Sequence, residues 1–215
     1  MLKITPPKLP QVLKEAEDFT TALADKNGDL IELAFQGQFV EGISKERLYA
    51  DVCTFTNGVF SKCSFKKAQL SDVVFRNCNL SNIDFSGSNF SRVAFIGCKL
   101  IGANFAESQF NHVQINACLG EYANFSTSKY RNVLFNHCDL RNGAFDNCSF
   151  NDIAFENCNL TNAEFYATSL KGIDLRDSEI SGIRVNLSGG ELRGATVSSL
   201  QALDLARLLG IIIQD

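Results

Sequence analysis

Proline is scarce in this sequence, and the few prolines are confined to one end. All three, Pro6, Pro7 and Pro10, precede residue 11. Proline lacks the N–H that a sheet backbone donates, so the rest of the chain is free to pair with neighbouring strands along its length. Histidine is almost as scarce, since the chain has only His112 and His137, and this argues against a histidine-based metal site.

Strong charge and long hydrophobic runs are also missing. The net charge of −4 is too mild for a generic nucleic-acid binder, and we expect no direct contact with DNA or RNA. No apolar run reaches membrane-spanning length, and no signal-peptide pattern follows Met1. These observations predict a cytoplasmic protein that does not contact a membrane.

What the sequence does contain is a strict repeat of five residues. Every fifth residue from Phe55 to Val185 is large and apolar, except Gly120, and two residues earlier in each unit lies a small or β-branched residue, such as Cys63. A helix requires apolar spacing near 3.6 and a strand requires 2.0, so a period of five excludes both. Internal repetition of this kind predicts a solenoid.

A second period of twenty predicts how the solenoid winds. If four units form one coil, residues twenty apart stack and share their character, and a coil has four sides with two residues per unit pointing inward. Parallel coils then bond to the coils above and below. The stacked positions are Phe65, Phe85, Phe105, Phe125, Phe145 and Phe165 in one column and Val73, Val93, Val113, Val133, Ile153 and Ile173 in another.

The cysteines follow the same register, which indicates a role in the core. All of them occupy the small inward position of a unit, and no CxxC pair exists. We interpret them as small hydrophobic residues and predict neither a metal nor a cofactor. The eight are Cys53, Cys63, Cys78, Cys98, Cys118, Cys138, Cys148 and Cys158.

The repeat units resemble those of a known family. Residues 78–82 (CNLSN) and 103–107 (ANFAE) are similar to the A(D/N)LXX pattern of pentapeptide-repeat proteins, and the resemblance extends over residues 53–187. It implies an all-β solenoid, a right-handed quadrilateral parallel β-helix. Many functions share that fold.

Both ends depart from the repeat, and each is expected to contain a short helix. The spacing of Val12, Ala16, Phe19 and Leu23 predicts a helix from about residue 10 to residue 26, stopped by Asn27-Gly28, that covers the open coil. An interaction arm is the alternative. We divide the chain into an N-terminal helical cap (1–29), a pentapeptide-repeat β-helix (30–190, regular from 53) and a C-terminal helix and strand module for dimerisation (191–215).

The C-terminal module has more apolar residues than a short solvated helix needs. Ser198 or Ser199 begins the predicted helix, which ends at Gly210. We favour a homodimer contact over a second cap on the last coil. Residues 201–211 (QALDLARLLGI) also resemble the tail of the Qnr quinolone-resistance proteins and their relative MfpA, whose rods join end to end. The predicted dimer residues are Leu200, Leu203, Leu208, Leu209 and Ile211.

No catalytic constellation is visible, so we predict a protein that is not an enzyme. The register brings together no Ser-His-Asp or Cys-His set, no glycine-rich phosphate loop is present, and outward carboxylates are expected on flat sides without a pocket. The resemblance implies a rod that engages DNA gyrase and topoisomerase IV, modulates them or relieves quinolone poisoning, and partly mimics duplex DNA. No loop projects between residues 53 and 187, so the chain is more similar to the MfpA-type rod, for which inhibition is implied.

Three outward surfaces are candidates for a partner. Taking every fourth unit places Asp84, Glu107, Asp146 and Glu164 on one acidic face, behind Lys66 and Lys67; an ordinary solvated face is the alternative. At Gly120 a local bulge is expected to make Leu119, Glu121 and Tyr122 project. The other function class is a scaffold that docks an unknown protein on a flat apolar strip of Val74, Ala94, Ile96, Leu134 and Ala154.

Overall fold

The chain winds into a parallel β-solenoid, shown by a computed structural model that describes residues 2–24 and 28–214. Strands pair in parallel with partners twenty residues away, as Val73 does with Val93. The predicted fold class of stacked twenty-residue coils is therefore confirmed. The elements in chain order are β1 (Lys14–Glu15), α1 (Phe19–Ala24), β2 (Leu30–Ile31), β3 (Leu33–Gln36), β4 (Phe39–Glu41), β5 (Tyr49–Thr56), β6 (Val59–Ser61), β7 (Gln69–Arg76), β8 (Asn89–Ile96), β9 (Gln109–Asn116), β10 (Lys129–Asn136), β11 (Ser149–Glu156), a 3₁₀ turn (Gly190–Leu192) and α2 (Ser199–Leu208).

Each coil has four sides, separated by corners with a left-handed backbone. In the coil that begins at Ala68, φ is positive at every fifth residue. We number the sides from this coil: side one contains residues 69–71, side two 74–76, side three 79–81 and side four 84–86. The long strands cover sides one and two, while sides three and four contribute isolated parallel bridges. The corners of this coil are Asp72, Asn77, Asn82 and Gly87.

The two inward positions of each unit fill the bore with stacked rings and small side chains. Phe105 lies 5.1 Å from Phe125, ring centre to ring centre, with the rings nearly parallel, and Phe110 stacks on Tyr130 at 4.9 Å. The buried Tyr130 hydroxyl donates to the carbonyl of Phe125. All eight cysteines are buried and free, which confirms their predicted place in the core.

Helix α1 closes the N-terminal end of the bore. The coil register begins with β2, where Leu30 pairs with Ala50. Phe19 is 1% exposed and inserts into the first coils, with its ring centre 5.5 Å from that of Phe60 and 5.6 Å from that of Phe35. The aromatic side chain thus covers the stack of rings that would otherwise face solvent.

The N-terminal helix is shorter than predicted. It spans only Phe19–Ala24, so the expectation of a helix from residue 10 is wrong for residues 10–18, while Lys26 and Asn27 of its predicted end lie outside the described residues. Lys14 and Glu15 instead pair in parallel with Leu33 and Ala34. The open edge of β3 offers backbone hydrogen bonds that a helix there would leave unmade.

Before β1, the chain runs along the outside of the solenoid; we call residues 2–10 the N-terminal arm. The Lys8 N–H donates to Asp72 Oδ1 over 2.8 Å, and the Thr5 N–H donates to His112 Nδ1 over 3.1 Å. Asp72 and His112 occupy the corner between sides one and two, two coils apart. The arm therefore crosses several coils along this corner, which the sequence did not predict.

At the C-terminal end, α2 caps the last coil. The Ser198 hydroxyl accepts from the Gln201 N–H, and the Gln201 side chain accepts in turn from the Ser198 N–H. The Gln201 amide also donates to the carbonyls of Leu175 and Ser178 at the end of the solenoid. The predicted start at Ser198 and end at Gly210 (φ 80°) are confirmed. In the described part of the chain, neither helix has the length and apolar character to span a membrane.

Candidate interaction surfaces

The four predicted acidic residues lie along side four. Asp84 and Glu164 belong to one ladder of bridges, four coils apart, with Asn104, Asn124 and Ala144 between them. Asp146 lies two residues beyond the ladder position of its own coil, and Glu107 lies three beyond, at the corner that ends the side. The structure thus places them on one side of the rod, separated by uncharged residues.

Basic side chains neutralise both carboxylates of the ladder. Lys66 Nζ lies 3.3 Å from Asp84 Oδ2, and Arg184 Nη1 lies 2.7 Å from Glu164 Oε1. Burial opposes the ionisation of Asp84, but bonds from Ser86 and the Lys66 ammonium more than offset it, so the pKa of Asp84 is lowered. Side four is therefore less acidic than its carboxylates suggest.

Asp146 stands apart because its pKa is shifted upward. Burial is the largest cause, and the neighbouring Glu164 carboxylate adds to it, while the Tyr166 N–H donates to Asp146 Oδ1 over 2.9 Å and opposes the shift. Glu107 is exposed at its corner. The carboxylates left available on this side are thus those of Glu107 and Asp146.

The residues around Gly120 lie on side three, and the predicted bulge is wrong. The Gly120 N–H donates to the Asp139 carbonyl over 2.7 Å, and Leu119 bridges to its counterparts in both neighbouring coils, so the ladder is continuous. A Cβ on residue 120 would lie 3.1 Å from Leu140 Cδ2, because the Leu140 side chain fills the space that a larger residue would take.

Two of the three neighbours of Gly120 are nevertheless open to solvent. Leu119 is 45% exposed and Tyr122 is 61% exposed, whereas Glu121 is half-buried with its Oε2 atom 3.4 Å from Arg141 Nη2. Leu119 and Tyr122 form a small apolar patch on side three, next to the acidic side four.

The apolar strip on side two is mostly withdrawn from solvent. Val74 pairs with Ala94, and Leu134 pairs with Ala154, in one column of the sheet. Ala94 is buried, and Val74, Ile96, Leu134 and Ala154 are half-buried. The N-terminal arm crosses the neighbouring corner of the same strands. The strip is therefore a weaker docking surface than the sequence suggests.

The predicted dimer residues form an apolar surface at the C-terminal end. Leu200, Leu203, Leu209 and Ile211 are exposed, and Leu200 is the most open of them at 77%. Leu208 differs, because it is half-buried and packs against the core. Ile212 and Ile213, which the prediction omitted, are also exposed and extend the surface.

A groove on sides one and two was missed from the sequence. Its volume is about 930 Å³, and it lies between β11 and the segment 169–176. The expectation that outward carboxylates meet no pocket is wrong here, since Asp152, Glu156, Asp174 and Asp177 line it. No sequence signal marks it, because Gly172 is one of several corner glycines, such as Gly87 and Gly102, that do not line this groove.

Groups of three or more His, Cys, Asp and Glu side chains that would hold a metal are not found among the residues that the structure describes.

A pentapeptide repeat region model matches three overlapping stretches, residues 50–125, 88–153 and 128–204. The chain belongs to the pentapeptide repeat family.

Several solved structures of this family are similar to the chain. Trypsin-treated QnrB1, a plasmid-mediated fluoroquinolone resistance protein, is 21% identical, with 94% of this chain and 95% of that chain covered and a TM-score of 0.48. HetL, involved in heterocyst differentiation regulation in the cyanobacterium Nostoc sp., is 15% identical. The match covers 82% of this chain and 92% of HetL, with a TM-score of 0.29. At these values the likeness says nothing of function. A comparison with the curated proteins gives no match.

Proposed function

We propose that the protein is a non-catalytic, dimeric rod that binds a type II topoisomerase, DNA gyrase or topoisomerase IV, and modulates its response to quinolones. The observation that carries this proposal is the exposed apolar surface of α2 and the tail, at one end of a rod whose sides are mostly polar. An apolar patch of this kind favours association with a second copy. The topoisomerase itself comes from the resemblance of residues 201–211 to the Qnr tail.

The dimensions of the rod agree with this function. About seven coils stacked at about 4.8 Å give a solenoid of about 33 Å, and two joined end to end reach about 66 Å. That is roughly two turns of duplex DNA. Such a dimer is therefore long enough to occupy a topoisomerase surface that binds a duplex segment of about two turns.

Mimicry of duplex DNA by charge is only partial in this proposal. Lys66 and Arg184 neutralise Asp84 and Glu164 on the acidic side. The carboxylate of Glu107 offers negative charge to a basic enzyme surface, and the carboxylate of Asp146 adds to it. We therefore expect the contact to combine shape with a few carboxylates, rather than to reproduce the charge of a phosphate backbone.

The test is a supercoiling assay with purified gyrase and topoisomerase IV, with and without a quinolone. We expect the protein to change the supercoiling rate at micromolar or lower concentration, and Glu107→Lys to weaken the effect at least tenfold. Asp29→Lys, an equal charge change at an exposed residue near the N-terminal end of the rod, is the matched control. No effect on either enzyme would overturn the proposal.

A scaffold role is the second candidate, and it is favoured by the patch on side three. Leu119 and Tyr122 are large apolar residues that lie exposed on this side, and Ile101 of the preceding coil is also exposed there. Substitution of both by Ser, with unchanged activity on topoisomerases, would separate this role from the first one.

A further inference from the structure

Strand β11 is an open edge inside the solenoid. In earlier coils the residue after the long strand donates to the next coil, as the Ala117 N–H does to the Asn136 carbonyl and the His137 N–H does to the Glu156 carbonyl, each over 2.9 Å. The Asn157 N–H has no such backbone acceptor among the described residues. Within residues 2–24 and 28–214, β10 is the only strand with which β11 pairs.

The next pass of the chain turns away from β11. The Gly172 N–H donates to the Gly194 carbonyl over 2.8 Å, and the Leu175 N–H donates to the Thr196 carbonyl over 2.8 Å, so the segment 169–176 bonds to the chain beyond it. Sides three and four stay closed at the same level, where Asn159 bridges to Glu179. Among the described residues the rod is therefore open on sides one and two, where the free edge of β11 faces the gap.

The gap also uncovers core residues. Phe150 and Ile153 are half-buried, although their counterparts one coil earlier, Tyr130 and Val133, are 2% and 0% exposed. Both face the groove of about 930 Å³. The floor of the groove is therefore apolar, because no following coil packs its inward side chains against Phe150 and Ile153.

The charge of the groove differs between its two halves. Near the first half of β11, the groove is lined by Lys3 of the arm, Lys171 and Asp152. The second half is lined by Glu156, Asp174 and Asp177. In the described part of the chain, Asp174 is the one of these three that forms an ion pair, with its Oδ2 atom 2.6 Å from Arg176 Nη2. A bound segment would therefore meet negative charge next to Glu156 and Asp177.

We propose that this groove binds an extended, basic segment of another protein as an added strand, parallel to β11. Parallel pairing is expected because the segment would lie between two passes of the chain that run in the same direction. Apolar side chains at its inward positions would cover Phe150 and Ile153, and outward Lys or Arg in its second half would face Glu156 and Asp177. This inference does not depend on the topoisomerase function.

The test uses a fluorescein-labelled peptide, Ser-Tyr-Ser-Asn-Val-Lys-Phe-Lys, with the apolar pattern of β10 and two lysines in its second half. We expect saturable binding by fluorescence anisotropy and at least tenfold slower amide exchange at Asn157 in its presence. The same peptide with glutamates for the lysines should bind at least tenfold more weakly, and N-methylation of alternate amides should abolish binding.

Variants of the protein locate the site. Glu156→Lys with Asp177→Lys should weaken binding of the lysine peptide at least tenfold, and Asp29→Lys, far from the groove, should leave it unchanged. Equal binding of both peptides, or protection of amides away from β11, would overturn the proposal. Protection of Asn157 in concentrated protein without peptide would overturn it in favour of a second copy of this chain.

Discussion

The left-handed corners of the coil select the residue types that stand there. Thr127 and Asn147 occupy the same corner in adjacent coils, with φ values of 59° and 54°, and both side chains are exposed. A left-handed backbone costs an ordinary L-residue about 1–2 kcal/mol, and Asn less than a β-branched residue. The corner of side four is thus strained at Thr127 and relaxed at Asn147.

We expect Thr127→Asn to stabilise the protein by about 0.5–1 kcal/mol, because Asn tolerates this backbone better. The mirrored change, Asn147→Thr, should destabilise it by a similar amount. Urea unfolding of both variants measures the difference. Changes of the same sign in the two variants would contradict the interpretation.

Asp72, together with His112, binds the N-terminal arm to the rod, and the contribution of Asp72 should depend on pH. Burial alone would raise the pKa of Asp72, but the Arg92 guanidinium, 2.6 Å away, and the Lys8 N–H lower it below its usual range. A lowered pKa in the folded state stabilises the fold above the unfolded pKa of about 3.9, and this is lost as the pH falls through the folded value.

Asp72→Asn should therefore cost about 1–3 kcal/mol at pH 7 and flatten the fall of stability below pH 4. The arm should also become easier for trypsin to cleave after Lys8. Asp204→Asn, which alters an exposed pair with Arg207, serves as the control and should leave the cleavage rate unchanged.

The buried thiols should be inert while the protein is folded. Burial raises the pKa of Cys53 to about 11 and that of Cys148 to about 11, so little thiolate exists at neutral pH. Because all eight thiols are buried, a reagent cannot reach them, and we expect none to react at pH 8 under native conditions and all eight to react in denaturant. Rapid labelling of the folded protein would show that the coils open locally.

At the scale of elements, α1 is anchored by its buried residue, Phe19, with Ala22 and Leu23 packed beside it. Phe19→Ala should destabilise the protein by about 3–5 kcal/mol, because it leaves a cavity among four phenylalanine rings at the end of the bore. Val12→Ala, at a side chain that is 84% exposed, should change stability by less than about 0.5 kcal/mol. Thermal unfolding of both variants makes the comparison.

The elements also show what sequence patterns reveal and what they miss. The coils were predictable because inward residues recur at fixed positions, and the start of α2 was predictable because Ser198 and Gln201 form a capping box. The arm was not predictable, because Thr5 and Lys8 bind the rod through backbone N–H groups that any residue carries. The register was enough to place the four carboxylates on one side of the rod. It did not show that Lys66 and Arg184 form ion pairs with two of them.

At the scale of the whole molecule, the C-terminal surface should set the mass in solution. We expect a dimer, and Leu200→Glu with Leu203→Glu should convert it to a monomer because both side chains are exposed on α2. Leu187→Glu replaces a residue that is 94% exposed and precedes the 3₁₀ turn, and it should leave the dimer intact. Light scattering after size exclusion measures the mass, and an unchanged mass in the double variant would contradict the dimer.

Because the register repeats every twenty residues, deletions of twenty and of five residues should change the rod in different ways. Removing one full circuit from the middle, such as residues 94–113, would shorten it by a single layer and leave every remaining side in line. Removing just one five-residue unit would instead rotate everything downstream by about a quarter turn, so that the arm and α2 no longer bear their present angular relation. Length and angular phase are therefore separate variables in this molecule, and evolution or an engineer can change either one alone.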